Sequence, residues 1–511
     1  MAEAGESTAG ETVQQRLIAA QQCLRQAQPD RAASILAPLL EAKPVPFEVH
    51  LLAGIAALQG GNAEAALTQL QSAVQINPGQ AVAHANLGLV LKRLGRDSEA
   101  RDAYQRALAL NPNDLGALSN MGSLLAQNGQ HEEAADCFRR AAQIAPENPA
   151  ILCNQAASLL AAGLAGQAVE PLERAARLAP GDFMVCFNLA QARRHCDQLD
   201  AAFQALQRCF EITRDHPGVW FELAQIQLAR GQLEQASETA HKALALDDQD
   251  VDGWRLLGSI EKRRGNIDQA RQAWQQAQRI DPDDVGSQYL LDALDQKRSD
   301  SAPKEYVREL FDRYAPRFER HLRDQLQYRV PEMLWQLMAQ RGAASDLGQA
   351  VDLGCGTGLM APLLAPHCRT LLGVDLSPRM LRVAEESKLY HSLAADDVVD
   401  WLLAREPGSL DLAVAADVLC YIGDLTPVHQ ALARALATGG YWLFSVEALD
   451  EPSDDWTLRP SGRFAHGRSF VERLLEEQGF RLVATDNGVG RKDQGEDITV
   501  LCVLAQRLPS V

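Results

Sequence analysis

The sequence has no run of apolar residues near the ~20 that a helix needs to cross a bilayer, and no C-x-x-C pair among its ten cysteines. The first absence argues against a membrane span. The second, with no regular cysteine framework, argues against a disulfide scaffold. Cys137, Cys153, Cys186 and Cys209 instead fall at helix positions expected to be buried, so reduced thiols in the cytosol fit best. The opening MAEAGESTAGETVQQRL is polar and acidic where a secretory signal would be basic and then apolar, which makes a cytoplasmic location the expectation. No basic stripe interrupts the net charge of −18, and this disfavours a nucleic-acid partner. No clustered His/Cys/Asp spacing calls for a metal. At 511 residues the chain is too long for one ordinary core, so two or more domains are expected.

What is present in the first half is a period. Ala32, Ala66, Ala100, Ala134, Ala168, Ala202, Ala236 and Ala270 stand 34 residues apart. The same register carries Gly54, Gly88, Gly122 and Gly258, then bulky Leu70, Tyr104, Phe138, Leu172, Leu206 and Trp274. Prolines follow at Pro44, Pro78, Pro112, Pro146, Pro180 and Pro282. A small residue lets two helices approach closely, and proline ends the second one. Each unit therefore predicts a helix, a turn and a second helix.

These positions resemble the tetratricopeptide repeat, whose period is 34 residues. The resemblance covers residues 13–284, or about eight units. Ala156 and Ala190 replace the usual glycine, and the unit from 183 lacks its proline in register, with Pro217 three residues late, so a kink is expected near residue 215. Repeats of this kind imply a concave groove that binds a peptide or protein partner. VGSQYLLDALDQ (285–296) reads as a capping helix with a polar outer face and KRSDSAPK as a linker, so that 285–304 joins the solenoid to a domain at 305–511.

Beyond the linker the pattern alternates strands and helices. Strands are expected at 350–354, 370–375, 391–395, 410–416, 441–448, 481–485 and 498–505, which implies a seven-stranded, mostly parallel sheet covered on both faces. VDLGCGTGLM follows the first strand, at the switch point where such sheets bind ligands. Its glycines, Gly354, Gly356 and Gly358, are spaced G-x-G-x-G with Asp352 upstream. A nicotinamide or flavin site commonly uses G-x-G-x-x-G to seat a pyrophosphate. An acid beside the loop suits a cation, such as a sulfonium, better. Asp375 ends the second strand, placed to accept hydrogen bonds from a ribose diol. Asp397 follows the third near an adenine amino position, with Asp396 as its rival.

DLGCGTG, GVDLSP, AADD and DLAVAADVLCYIGDL in this order resemble the class I S-adenosylmethionine-dependent methyltransferases, over roughly 305–507. Most similar are bacterial predicted methyltransferases that carry tetratricopeptide repeats ahead of the catalytic domain. The resemblance implies a Rossmann-like fold and S-adenosylmethionine as cofactor. It assigns Gly354, Gly356 and Gly358 to the methionine and ribose, Asp375 to the ribose hydroxyls, and Asp397 with the Val398 amide to adenine. Ala416 and Asp417 would lie at the methionine end, Tyr314 and Phe318 would close over the cofactor, and Asp352 would touch the ligand or orient the loop. On the acceptor side the candidates are Tyr421, Arg463 as an anion-binding group, and His466 as a base or a positioning group. The [DN]-P-P-[FYW] tetrad of many amino-group methyltransferases is absent, and Leu419 rather than proline precedes Cys420, which argues against a cytosine-C5 enzyme. A protein side chain, a carrier-bound group or a small metabolite remains as acceptor. The competing class is a repeat scaffold whose domain binds the cofactor without turnover.

Overall fold

A computed structural model describes residues 12–324, 326–343, 347–449, 455–493 and 495–509. Most of the acidic opening segment and the last two residues of the expected second domain lie outside these. The chain divides into two compact units, Met1–Arg193 with Gln207–Ile212, and Arg194–Leu206 with Thr213–Val511.

Eight helix pairs fill residues 13–280, and from Phe47 onward each first helix starts 34 residues after the one before. The glycine argument holds in atomic terms. A Cβ on Gly88 would lie 2.7 Å from the Tyr104 ring, and one on Gly258 2.3 Å from Trp274 Nε1. Tyr104 and Trp274 are fully buried, so the missing side chain is the space that the large partner occupies. The helix turns carry a second periodic signal. Gly95, Gly129, Gly163, Gly231 and Gly265 adopt positive φ between the helices of a pair, and Asp197 takes this left-handed place in the pair from 183. Pro217, the late proline, opens a helix at its first position.

In the second unit, the helix Val285–Leu294 exposes Gln288, which donates to Asp292 at 2.8 Å, while its opposite face is covered by more of the chain. Tyr289 is buried and its hydroxyl donates to the Gly462 carbonyl at 2.9 Å, because Val307, Tyr421 and Phe464 cover it with an apolar cluster. The polar stretch after it is tied down by backbone and side chain. Gly423 and Asp424 N–H donate to the Asp300 carbonyl at 2.8 and 2.9 Å, Ala302 N–H to Tyr421 O at 2.8 Å, and Trp456 Nε1 to Ser299 O at 2.9 Å.

The seven expected strands form, as β1 (Gln349–Leu353), β2 (Thr370–Asp375), β3 (Ser392–Ala395), β4 (Leu410–Ala415), β5 (Leu436–Ala448), β8 (Phe480–Asp493) and β9 (Glu496–Arg507). Two short ones, β6 (Trp456–Leu458) and β7 (Phe464–His466), join them in a nine-stranded sheet ordered β3-β2-β1-β4-β5-β7-β6, with β9 antiparallel to β5 and β8 to β9. The other neighbours in the β3-to-β7 path pair in parallel. Both faces are apolar, as a covered parallel sheet requires. Val351, Ala413 and Phe444 pack with Trp401, Leu432 and Leu474, while Ala350, Val414 and Leu443 pack with Leu334, Met338 and Leu364. The chain is thus a run of helix pairs followed by a mostly parallel α/β sheet.

Candidate active site

With β1 central between β2 and β4, the loops leaving these strands converge at the C-terminal edge of the sheet around a cavity of about 400 Å³. Gly354, Gly356 and Gly358 all adopt positive φ, and a Cβ on Gly354 would lie 2.2 Å from Val418 on the neighbouring β4 exit. No other residue type fits there without rearrangement. Gly354 and Gly356 line the cavity.

Asp375 also lines it, fixed by N–H groups from two loops. Gly356 N–H donates to Oδ2 at 2.9 Å and Ser377 N–H to Oδ1 at 2.8 Å. Each oxygen keeps a lone pair for a further donor. Burial pushes this carboxyl up to about 6, although both N–H groups favour the charged form. Asp397 and Val398 line the same cavity. The Asp397 Oδ1 caps the helix Val398–Leu403 by accepting from Val399 and Asp400 N–H at 3.0 and 3.2 Å, and no described hydrogen bond takes the Val398 N–H. Asp396 is exposed outside the cavity, where it accepts the Asp397 N–H at 2.8 Å.

Two of the expected cofactor residues sit behind the loop instead. Asp352 is buried and accepts the Tyr390 hydroxyl at 2.6 Å, with its carboxyl pushed up to about 7 by burial. Gly358 backs onto the same Tyr390, 3.1 Å from where its Cβ would be. Together they shape the loop from below.

Ala416 and Asp417 leave β4 into the cavity. Asp417 is strained, with φ of 59°, and held there by its N–H on Ser445 Oγ at 2.9 Å and by its carboxylate on Arg491 at 2.8 and 3.0 Å. Arg491 also bonds Glu447, which Arg459 reaches at 3.3 Å, while Arg463 reaches Asp417 at 3.3 Å. Asp417, Cys420 and Glu447 bring ligand-type atoms within 4.8 Å of one another, but guanidinium groups already occupy both carboxylates. The set is an ion network in which three guanidinium groups face two carboxylates, so the negative charge is matched within the protein.

Tyr314 and Phe318 line the cavity from the helix side, in edge contact at 5.1 Å between centroids, and Phe311 packs edge-on to Phe318 at 6.1 Å and to Tyr421 at 5.4 Å. The Tyr314 hydroxyl is bonded to His321 Nδ1. Asp312 fixes this helix on the β2 exit by accepting the Ser377 hydroxyl at 2.6 Å. Tyr421 and Arg463 are in the cavity wall, with the guanidinium over the phenol ring at 5.3 Å.

His466 is a correction. Parallel pairing of β7 with β5 buries its ring away from the cavity, where Nε2 meets the carbonyls of Ile422 and Gly423 at 2.9 and 3.0 Å. Burial lowers its pKa to about 4, so Nε2 is a fixed donor and the ring cannot serve as a base to a ligand in the cavity. Sequence reasoning also missed Phe311, Glu447 and Arg491. Phe311, Tyr314 and Phe318 stand at i, i+3 and i+7, one helix face, and Glu447 interrupts an apolar strand; both signals were readable. Arg491 had none, since its partners are 74 and 44 residues away.

Residues 351–444 match the family described as a methyltransferase domain, and residues 54–95, 85–149 and 194–260 match tetratricopeptide repeat families. Among curated proteins, a ubiquinone biosynthesis O-methyltransferase of Ralstonia nicotianae is 36% identical over 105 residues, which are 19% of this chain and 42% of that one. Nodulation protein S of Rhizobium tropici is 30% identical over 127 residues, 24% of this chain and 52% of that one. The chain spans about half or less of the length of these relatives. A solved putative S-adenosylmethionine-dependent methyltransferase from Listeria monocytogenes aligns with 35% of this chain and 98% of its own, at 18% identity and a TM-score of 0.29.

Proposed function

For a chain that carries a class I S-adenosylmethionine-dependent methyltransferase domain behind tetratricopeptide repeats, we propose that the cavity at the β1, β2 and β4 exits catalyses methyl transfer to a hydroxyl oxygen of a small acceptor. The observation that carries this reading is Asp375, a carboxylate fixed by two backbone N–H groups beside a glycine loop that no larger side chain fits.

The residues suit S-adenosylmethionine. Asp375 offers a lone pair on each oxygen to a ribose diol, and the free N–H of Val398 with the outer oxygen of Asp397 suits the edge of adenine. Phe311, Phe318 and Leu376 supply the apolar wall that excludes water. When bound, the cofactor supplies an activated methyl group, and the displacement needs the acceptor oxygen in line with it. Asp417 stands at the β4 exit, where its charge is already balanced by Arg491 and Arg463. Tyr421 and Arg463 then hold the acceptor. Tyr314, hydrogen-bonded to His321, belongs to the aromatic wall and orients the acceptor hydroxyl. The O-methyltransferase names of the relatives support an oxygen acceptor. The repeats serve to bind a protein or peptide partner.

Titration of the full chain with S-adenosylhomocysteine, in wild type and Asp375→Ala, tests the site. Loss of two charge-assisted hydrogen bonds should weaken binding by about 100-fold. Unchanged affinity in Asp375→Ala would sink the assignment. Binding without transfer of labelled methyl to any acceptor in cell extract would favour the scaffold reading instead.

A further inference from the structure

A second cavity, of about 660 Å³, lies within the second unit between the last repeat helices and the helix Lys304–Tyr314. Its carboxylates are all spoken for. Arg194 pairs with Glu222, Arg320 with Asp197, Arg255 with Asp252, and Arg313 with Glu309. Three cations of the lining are left over. Lys262, Arg263 and Arg317 have no carboxylate within ion-pair distance among the described residues. Lys262 rests over the Trp274 ring at 6.0 Å, Arg317 over Tyr314 at 5.7 Å, and Arg263 donates only to the Leu228 carbonyl at 3.4 Å.

In a chain of net charge −18, such a surplus is a local inversion. It is also crowded. Arg263 and Arg317 stand exposed at the cavity rim and Lys262 is half-buried, and Arg317 is near enough to repel Arg263, as Arg194 repels Arg317. The acid that acts on Lys262 and Arg263, Asp493, does so without forming an ion pair. An anion placed among the three would relieve the repulsion. Tyr314 forms part of the wall of this cavity and of the cofactor cavity, so a ligand held here lies one side chain away from the site of methyl transfer.

We propose that the cavity lined by Lys262, Arg263 and Arg317 binds an anionic group, a carboxylate or a phosphate, of the small methyl acceptor. This rests on the methyl-transfer reading above for the word acceptor, but the anion site itself does not. The volume is that of a small-molecule site, and planar guanidinium groups match either anion.

The test titrates the full chain with inorganic pyrophosphate as the phosphate probe and malonate as the carboxylate probe, and separately with S-adenosylhomocysteine. One probe should bind wild type, and the tighter one identifies the group. Lys262→Gln and Arg317→Gln should each weaken it by about 10-fold, with S-adenosylhomocysteine affinity unchanged as proof that the fold is intact. The surface variant Arg139→Gln should change nothing. The proposal falls if neither probe binds at about 10 mM, far weaker than any useful site. It falls too if Arg139→Gln weakens binding equally, or if the probe displaces S-adenosylhomocysteine and so occupies the cofactor cavity. Failure of S-adenosylhomocysteine to bind wild type would sink the methyl-transfer reading and leave the anion result legible.

Discussion

Between the helix pairs and the sheet, the difference lies in what is buried against what. In the pairs Gly88 meets Tyr104 and Gly258 meets Trp274, a vacancy against a ring, and partners are always sixteen residues apart. At the sheet edge half-buried Asp417 and buried Glu447 and Arg491 are packed together across 74 and 44 residues of sequence. The first kind of contact is local and apolar, so each unit solves its own packing and repeats the solution. The second takes charges out of water, and it holds only while every member is present. Scaffold and site therefore respond to substitution by different physics.

Arg491→Met should break the site half of this contrast with the largest effect. Asp417 and Glu447 would keep only Arg463 and Arg459, and a loss of about 3 kcal/mol of stability is expected, read by urea unfolding. A change below about 0.5 kcal/mol would mean the network contributes no more than a surface pair. On the repeat side, Gly258→Ala forces a Cβ to 2.3 Å from Trp274, whereas Gly122→Ala meets Phe138 at 3.0 Å. Overpacking of about 2 kcal/mol is expected for the first and less than 1 for the second. Equal midpoints for the two variants would contradict the close-approach argument.

The two halves should also differ in pH response. Burial pushes the Asp375 carboxyl up to about 6 in the folded chain, and in the proposed ribose site the ligand-binding form is the charged one. Affinity for S-adenosylhomocysteine should fall by about 10-fold per pH unit below 6. For the free protein the sign reverses. The folded state holds a proton that the unfolded chain releases above its ordinary carboxylate range, so this group's contribution to stability is greatest at low pH and is lost as pH rises through about 6. A binding profile flat between pH 5 and 7 would remove Asp375 from the ribose site.

The smallest effect separates polar from apolar burial inside the repeats. The Tyr104 hydroxyl is buried without a hydrogen-bond partner among the described residues. Tyr104→Phe should therefore stabilise by about 1 kcal/mol, measured as a raised unfolding midpoint, and a lowered midpoint would mean the hydroxyl has a partner.

The repeat architecture was legible because its signal is redundant. Eight copies of one register name the small and large positions, and each contact partner is a fixed step away. The strands were legible too, since a sheet covered on both faces leaves nearly continuous apolar runs such as LDLAVAA. Asp375 and the glycines could be found because they follow their strands directly, and position at a strand end is a one-dimensional property.

The sequence by itself determined the period, the helix pairs, the alternation of strands and helices, and the glycine loop with Asp375 beside it. Tertiary structure alone decided the rest. It turned His466 from a candidate base into a donor held by two carbonyls, put Asp352 behind the loop on Tyr390, assembled Asp417, Glu447 and Arg491, and left Lys262, Arg263 and Arg317 unbalanced in one cavity. The reason is common to all four. Whether a polar side chain is base, brace or anion site depends on the groups that reach it from distant parts of the chain, and the free energy of a buried charge is set by those partners and by its distance from water.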